Sequence, residues 1–337
     1  MPRALQRKVV TTLIVLTLMV GLAGGGWFAY LNSRIDAIPR VDAGVEPAAD
    51  VEAETPRALN ILVAGTDSGT PDELARLVEG GWEPGAMRSD TIMMLHVTAD
   101  REQASVVSIP RDTWVEIPGH GQAKINAAFS LGGPALYVDT VEAFTGVDVD
   151  HVAIVDWAGF RDISTAVGGV DVTVPATVTD TMNDITWTAG QHHLEGQEAL
   201  MYVRMRYGLG DGDFDRIDRQ QNFLRSLLGK LVDEGTVRNP VRLTAAVNAI
   251  TSSLTLDTSF DNAAVRDLSL SLRGLRARDI TFVTVPLQAY DTVEGQSIVR
   301  VDRVAAARLF RAMDRGRLPQ YAARTGLQQL PGPGQVN

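Results

Sequence analysis

Hydrophobic and polar positions divide the chain into unlike stretches. Residues 9–31 (VVTTLIVLTLMVGLAGGGWFAYL) run without a charge, long enough at about 1.5 Å rise per residue to cross a hydrocarbon layer of about 30 Å. Arg3, Arg7 and Lys8 precede the run, and Trp27 and Tyr30 close it. The positive-inside rule therefore predicts a single transmembrane helix, with residues 1–8 in the cytoplasm and everything beyond it outside the cell membrane. A cleaved signal peptide is the competing reading, but the run exceeds the roughly 7–15 apolar residues of such a leader. Either reading exports the remainder. Residues 32–57 are rich in Ala, Pro and acid with no sustained apolar period, which predicts an extracellular linker. The folded domain is then expected over 58–325, followed by a disordered Pro/Gly-rich tail over 326–337.

Inside that domain, short apolar runs bounded by Gly, Asp or Pro predict strands at 59–64, 92–97, 104–109, 152–155, 170–174 and 280–285. Helical periodicity marks 134–144, 239–254, 262–275, 302–313 and 219–232; in the last, Phe223, Leu224, Leu227, Leu228 and Leu231 share one face. Strands alternating with helices imply an α/β sandwich.

Composition narrows the chemistry. The 337 residues are 45% hydrophobic and 21% charged, as expected of a folded protein. There is no Cys, which removes thiol nucleophiles, thiolate metal sites and disulfides together. A net charge of −10 argues against nucleic acid as a partner. The basic residues are Arg except for Lys8, Lys124 and Lys230. His192-His193 lacks a third ligand at a recognisable spacing and reads as a turn before Leu194. Neither a G-x-S-x-G elbow nor a phosphate-binding Gly-Lys-Ser/Thr loop occurs.

Charged and polar side chains gather at strand ends and loops in four places. These are AGTD ending at Asp67, RSDT at 88–91, IPRDT at 109–113, and YVRMR at 202–206 followed by DGDFDR at 211–216 and RQQ at 219–221. In a strand, Arg204 and Arg206 would share a face, and two guanidinium forks side by side suit a pyrophosphate. Asp67 and Asp90, hard oxygen donors at the ends of neighbouring strands, would share a magnesium ion with it. Taken singly, an Arg on a strand edge is more often solvated or ion-paired than a ligand, an Asp after a strand is usually a turn or helix cap, and Arg219 and Gln220 could be merely the wet face of their helix.

In order and together, these segments resemble the LytR-CpsA-Psr family of membrane-anchored cell-wall glycopolymer transferases. The resemblance runs from residue 60 to 228 through NILVAGTD, RSDTIMMLHV, VSIPRDTWVEIPG, KINAAFSLGGP, GVDVDHVAIVDWAGF, AVGGVDV, LEGQEALMYVRMRY and GDFDRIDRQQ. One departure is the stretch 68–87 between the first acidic motif and RSD, longer than the family pattern and read as a surface loop. The resemblance implies a three-layer α/β/α sandwich with a central mixed sheet, a charged cleft for the pyrophosphate of a polyprenyl carrier, and an apolar tunnel for its tail. Residue by residue, Asp67 and Asp90 look like ligands of magnesium, or of manganese in its place. Arg88, Arg111, Arg204 and Arg206 look like the pyrophosphate clamp, and Lys124, Asp213, Arg216 and Gln220 match further site positions. Arg111, Arg204, Arg206 and Asp213 are the expected catalytic group, Asp213 as the candidate base. The implied reaction moves a teichoic acid, arabinogalactan or capsular polymer from its lipid donor to a peptidoglycan hydroxyl. A polyprenyl-pyrophosphate hydrolase and a non-catalytic lipid-linked-glycan binder are the alternatives.

Overall fold

The computed structural model describes residues 24–45, 56–67, 69–206, 208–210, 212–232, 239–327 and 329–336. The expected cytoplasmic stretch 1–8 and most of the expected span 9–31 lie outside these. The described part of the first helix, α1, covers 24–36, and no helix among the described residues is long and apolar enough to cross a membrane.

Seven described strands form one mixed sheet, in the order β1 (Arg40–Val41), β12 (Leu254–Asp257), β7 (His151–Asp156), β2 (Leu59–Thr66), β3 (Ser89–Val97), β4 (Ala104–Ser108) and β13 (Ile280–Thr284). The β2–β3 and β3–β4 pairs are antiparallel, whereas β2–β7 and β4–β13 are parallel. Alternation along the strands loads both faces, which explains why they read as continuous apolar runs. Leu62, Ala64, Ile92, Met94, Val107, Ile154 and Val283 enter the core shared with α2 (Pro71–Gly80), α3 (Asn126–Thr145), α9 (Arg303–Asp314) and α10 (Leu318–Thr325). Ile61, Val63, Met93, Val106 and Phe282 face the other way, against α6 (Asp213–Val232) and α8 (Asn262–Ser271). Helices thus cover both faces, as the three-layer expectation requires.

A further core lies beside the sheet, built by α4 (Trp157–Ala166), α5 (Gly196–Arg204), α6 and α7 (Pro240–Ser253) around the antiparallel pair β8 (Val170–Val174) and β11 (Gly190–Leu194). Three hairpins complete the described part that matters for function: β5 (Trp114–Ile117) with β6 (Gly121–Lys124), β9 (Val178–Asp180) with β10 (Ile185–Trp187), and β14 (Leu287–Val293) with β15 (Gln296–Val301).

Five expectations need correction. Residues 32–45 are not a linker: α1 donates from Trp27 Nε1 to Thr244 Oγ1 at 2.8 Å, Ile38 and Val41 are buried, and β1 pairs with β12. A two-residue edge strand is too short to leave a period in the sequence. The tail is not disordered where it is described: Leu330 N–H donates to Phe282 O, Arg225 Nη1 donates to Pro331 O at 2.8 Å, and Val336 is buried. Residues 68–87 hold α2, capped by Thr70 and anchored by the buried Leu74, where a surface loop was expected. Arg204 ends helix α5 and Arg206 follows it, so period two does not set their directions. His192 and His193 lie within strand β11 rather than in a turn; His193 Nδ1 meets Asp171 Oδ1 at 2.7 Å.

The first half of α3 is offset from the second by Gly132-Gly133-Pro134. Gly133 has φ +69, and a Cβ there would lie 2.7 Å from the Trp82 ring, so only glycine lets the chain turn this close to the indole.

Candidate active site

The charged residues converge at one end of the sheet. Asp67 follows β2, and its N–H donates to Arg88 O at 3.2 Å, which closes the β2–β3 loop so that Asp67 and Asp90 line one cavity despite the inserted α2. Arg111 follows β4, the neighbour of β3, and its Nη1 donates to Asp90 Oδ1. Lys124 ends β6, where Nζ pairs with Asp112 Oδ1 at 3.0 Å. On the other side, Asp213, Arg216 and Gln220 fall one turn apart on α6 and share a face.

Two cavities meet at the Asp90–Arg111 pair. One of about 440 Å3 is lined by Arg204, Arg206, Arg216, Gln220, Trp157 and Asp180 besides that pair. The other, of about 530 Å3, is lined by Asp67, Arg88, Asp112, Lys124, Trp114 and Gln122 besides the same pair. All the residues expected to touch pyrophosphate line this divided cleft, Arg88 and Lys124 in one half and Arg204, Arg206, Arg216 and Gln220 in the other. Asp213 does not line it. Its Oδ1 lies 2.9 Å from Arg216, 3.2 Å from Arg206 and 4.0 Å from Arg111, so it sits behind the arginines and holds them.

Electrostatics follow from that hub. Burial opposes the charge on Arg111, but Asp90, Asp213 and Asp112 outweigh it and hold the guanidinium above its ordinary range. Burial pushes Arg216 down to about 10, with Asp213 opposing and Arg111 and Arg206 adding to the shift. Both remain cationic at neutral pH. Arg111 Nε and Arg216 Nε are buried and donate no hydrogen bond among the described residues; Arg111 Nε lies 4.0 Å from Asp213 Oδ1, within the ion-pair hub. Arg204 is placed by its guanidinium lying 5.2 Å over the Trp157 ring. Gln220 Nε2 donates to Val203 O at 3.3 Å, which braces α6 against α5.

A third cavity, about 210 Å3, opens between the sheet and helices α4, α5 and α6. Its lining is mostly apolar, including Val63, Met93, Phe160, Phe223, Leu224 and Leu227, and it shares Trp157 and Gln220 with the arginine-rich half of the cleft. An anion held by the arginines therefore has an apolar outlet beside it.

Asp67 and Asp90 are two hard oxygen donors from adjacent strands lining one cavity. No group of three or more His, Asp or Glu able to hold a metal occurs among the described residues. The pair suits magnesium, which commonly takes one or two carboxylates and fills its shell with water and substrate phosphate oxygens.

The LytR_cpsA_psr family model matches residues 31–315, from the second half of α1 through α9. The chain belongs to the LytR_cpsA_psr family. Among its relatives, the cell wall biosynthesis protein LcpA of Corynebacterium glutamicum is 31% identical over 334 residues, covering 88% of this chain and 63% of that protein. The chain thus spans less than two thirds of that relative's length. The polyisoprenyl-teichoic acid–peptidoglycan teichoic acid transferase TagU of Enterococcus faecalis is 29% identical, covering 86% of this chain and 93% of that protein. The crystal structure of B. subtilis TagV superposes with a TM-score of 0.61 at 26% identity, covering 78% of this chain and 98% of that one. A LytR-Csp2A-Psr enzyme from Actinomyces oris shares the fold, with a TM-score of 0.63 at 21% identity and coverage of 82% and 96%.

The cleft also holds residues to which the sequence motifs assigned no role. Asp112 pairs with Lys124, Trp157 carries Arg204, and Asp180 closes the arginine-rich half. Asp112 and Trp157 lie within the segments that carry the family resemblance, but nothing in the sequence gave either a role, and Asp180 lies outside those segments. Arg219, which the sequence offered as a wet-face residue, is fully buried over the Tyr202 ring at 4.5 Å and supports α6 from behind.

Proposed function

We propose that this protein is a membrane-anchored transferase that moves a glycopolymer from a polyprenyl-pyrophosphate carrier to a sugar hydroxyl of peptidoglycan, with its domain on the outer side of the cell membrane. One observation carries the reading: an arginine-rich cleft, with Asp90 where its halves meet and Asp67 in one of them, shares Trp157 and Gln220 with an apolar cavity. That combination matches a ligand with a pyrophosphate at the end of a hydrocarbon chain. Membership of the family supports it, as does the relative named a polyisoprenyl-teichoic acid–peptidoglycan teichoic acid transferase.

In the reaction, the acceptor oxygen forms a bond to the sugar-proximal phosphorus while the bond from that phosphorus to the bridging oxygen breaks. The electron pair leaves with polyprenyl monophosphate, and the hydroxyl proton passes to a base. Charge grows on the bridging oxygen, and fixed cations that need no reorganisation stabilise it. Arg204, Arg206 and Arg216 face the leaving phosphate beside the apolar cavity, while Arg111, Arg88 and Lys124 face the transferred one. Asp67 and Asp90 would hold magnesium, which supplies further charge neutralisation across the two phosphates. Asp213 is not the base in this reading. Its carboxylate is neutralised by Arg206 and Arg216 and keeps both aligned.

The test uses the full chain in lipid vesicles with radiolabelled polyprenyl-pyrophosphate glycan, soluble peptidoglycan, and magnesium or EDTA. Label entering peptidoglycan with magnesium and lost in EDTA or in Arg111→Ala supports the transferase. Free glycan phosphate without labelled peptidoglycan indicates a hydrolase, and intact bound donor a binding protein; either result overturns the proposal.

A further inference from the structure

The cleft has a wall that neither its phosphate chemistry nor its apolar outlet uses. The half containing Arg88 and Lys124, which shares no lining residue with the apolar cavity, is also lined by Trp114 and Gln122 on the β5–β6 hairpin and by Glu294 and Gln296 at the tip of β14–β15. An indole, two primary amides and a carboxylate around one solvent-open hollow are a set that fits a saccharide: a ring face for apolar C–H groups and acceptors and donors for hydroxyls and acetamides.

The two hairpins are held as one unit. Val299 N–H donates to Asp112 O at 2.9 Å, and Val299 bridges Thr113, so β15 is fixed to the segment bearing Arg111 and Asp112. On its outer strand, Tyr290 meets Phe214 edge to face at 6.0 Å between centroids, next to Asp213 on α6. Trp114 Nε1 donates to Gln122 Oε1 at 3.0 Å, orienting that amide so that its Nε2 remains a donor.

The tip itself breaks a local rule. Glu294 and Gly295 are the two residues between paired Val293 and Gln296, with φ 51 and 77. A two-residue turn with both φ positive strongly favours Asn-Gly or Asp-Gly, because their short side chains tolerate the left-handed region. Glu gains no such advantage, and among the described residues only Arg101 and Asp184 share a positive φ without being glycine. Among the described residues Glu294 makes no ion pair or side-chain hydrogen bond that would offset the strain, yet it lines the cleft.

We propose that Trp114, Gln122, Glu294 and Gln296 form the subsite for the acceptor saccharide, with Glu294 accepting a hydrogen bond from a sugar hydroxyl. This assignment deepens the transferase reading and rests on it for the identity of the acceptor. In-line displacement decides between acceptor and donor glycan. The polyprenyl phosphate departs toward the apolar cavity, so the attacking oxygen arrives from the opposite side, which is this hairpin wall.

The experiment titrates the full chain in detergent with a soluble N-acetylglucosamine–N-acetylmuramic acid tetrasaccharide, read by saturation-transfer NMR, and in parallel with the polyprenyl-pyrophosphate donor. Glu294→Asn restores the favoured turn and should leave the unfolding midpoint equal or higher while weakening tetrasaccharide binding by about tenfold; Gln296→Ala on top should weaken it further. Donor binding should not move. Failure of the wild type to bind the tetrasaccharide, equal binding by the variants, or a matching loss of donor affinity overturns the subsite. Hairpin-dependent saccharide binding without any donor turnover would sink the transferase reading and leave the subsite standing.

Discussion

Asp90 and Arg111 pair where the two halves of the cleft meet, and each bears on both. Replacing Arg111 with Ala removes a directed cation from the centre of developing charge, which is expected to lower turnover by on the order of 100-fold or more, as loss of one preorganised donor does. Steady-state transfer kinetics alongside an unchanged circular dichroism spectrum would check it. Asp213 separates two roles by a different readout. Its side chain is 9% exposed and that of Arg216 5%, so Asp213→Ala strands a buried guanidinium and should cost about 3 kcal/mol in urea denaturation. A group acting only as a base would lose activity with stability intact. His96 adds a pH dependence away from the site. It is buried on β3, its Nδ1 lies 2.7 Å from Asn60 Oδ1, and burial lowers its pKa below 6.5 against the opposing pull of Asp314 and Asp150. The unfolded chain therefore takes up this proton first, so stability should fall as pH drops through 6.5 toward the lowered native value. Denaturation midpoints from pH 7.5 to 5 should show that slope in the wild type and lose much of it in His96→Gln.

At the scale of elements, α6 does most to assemble the cleft. Its buried Gln221 donates to Ser108 Oγ at 2.7 Å and to Val283 O at 2.9 Å, fixing the helix across β4 and β13 while Arg216 and Gln220 face the cleft. That arrangement was half legible. The apolar face of 219–232 showed in the periodicity, but Gln221 and Arg219 look solvent-facing to any pattern that sorts residues by polarity. Helix α3 makes the opposite case. Its Gly-Gly-Pro break is plain in the sequence: Gly132 and Gly133 leave helical geometry and the helix resumes at Pro134 as the pattern suggests, while the helical stretch from Asn126 ahead of the break left no such signal. Gly133→Ala places a methyl against Trp82 at a positive φ and should destabilise by about 1–3 kcal/mol, measurable by urea midpoint together with a shift in tryptophan emission.

For the molecule as a whole, segments at both ends of the described chain belong to the domain. Residues 329–336 clasp β13 and α6, so truncation after Leu327 should lower Tm by a few degrees, at about 2–4 °C per kcal/mol lost; an unchanged Tm in differential scanning calorimetry would return the tail to its sequence reading. The sequence by itself determined the alternation of strands and helices, the absence of thiol chemistry, and the motif residues that reach the cleft. It could do so because continuous apolar runs and helical periods are local, and because Asp67, Asp90, Arg88 and Arg111 sit at strand ends that the runs delimit. Only the tertiary structure decided which side chains share a cavity. Asp213 behind the arginines, the indole under Arg204, and a hairpin nearly 200 residues past Trp114 closing the same hollow are products of packing between distant segments, and no spacing along the chain encodes them.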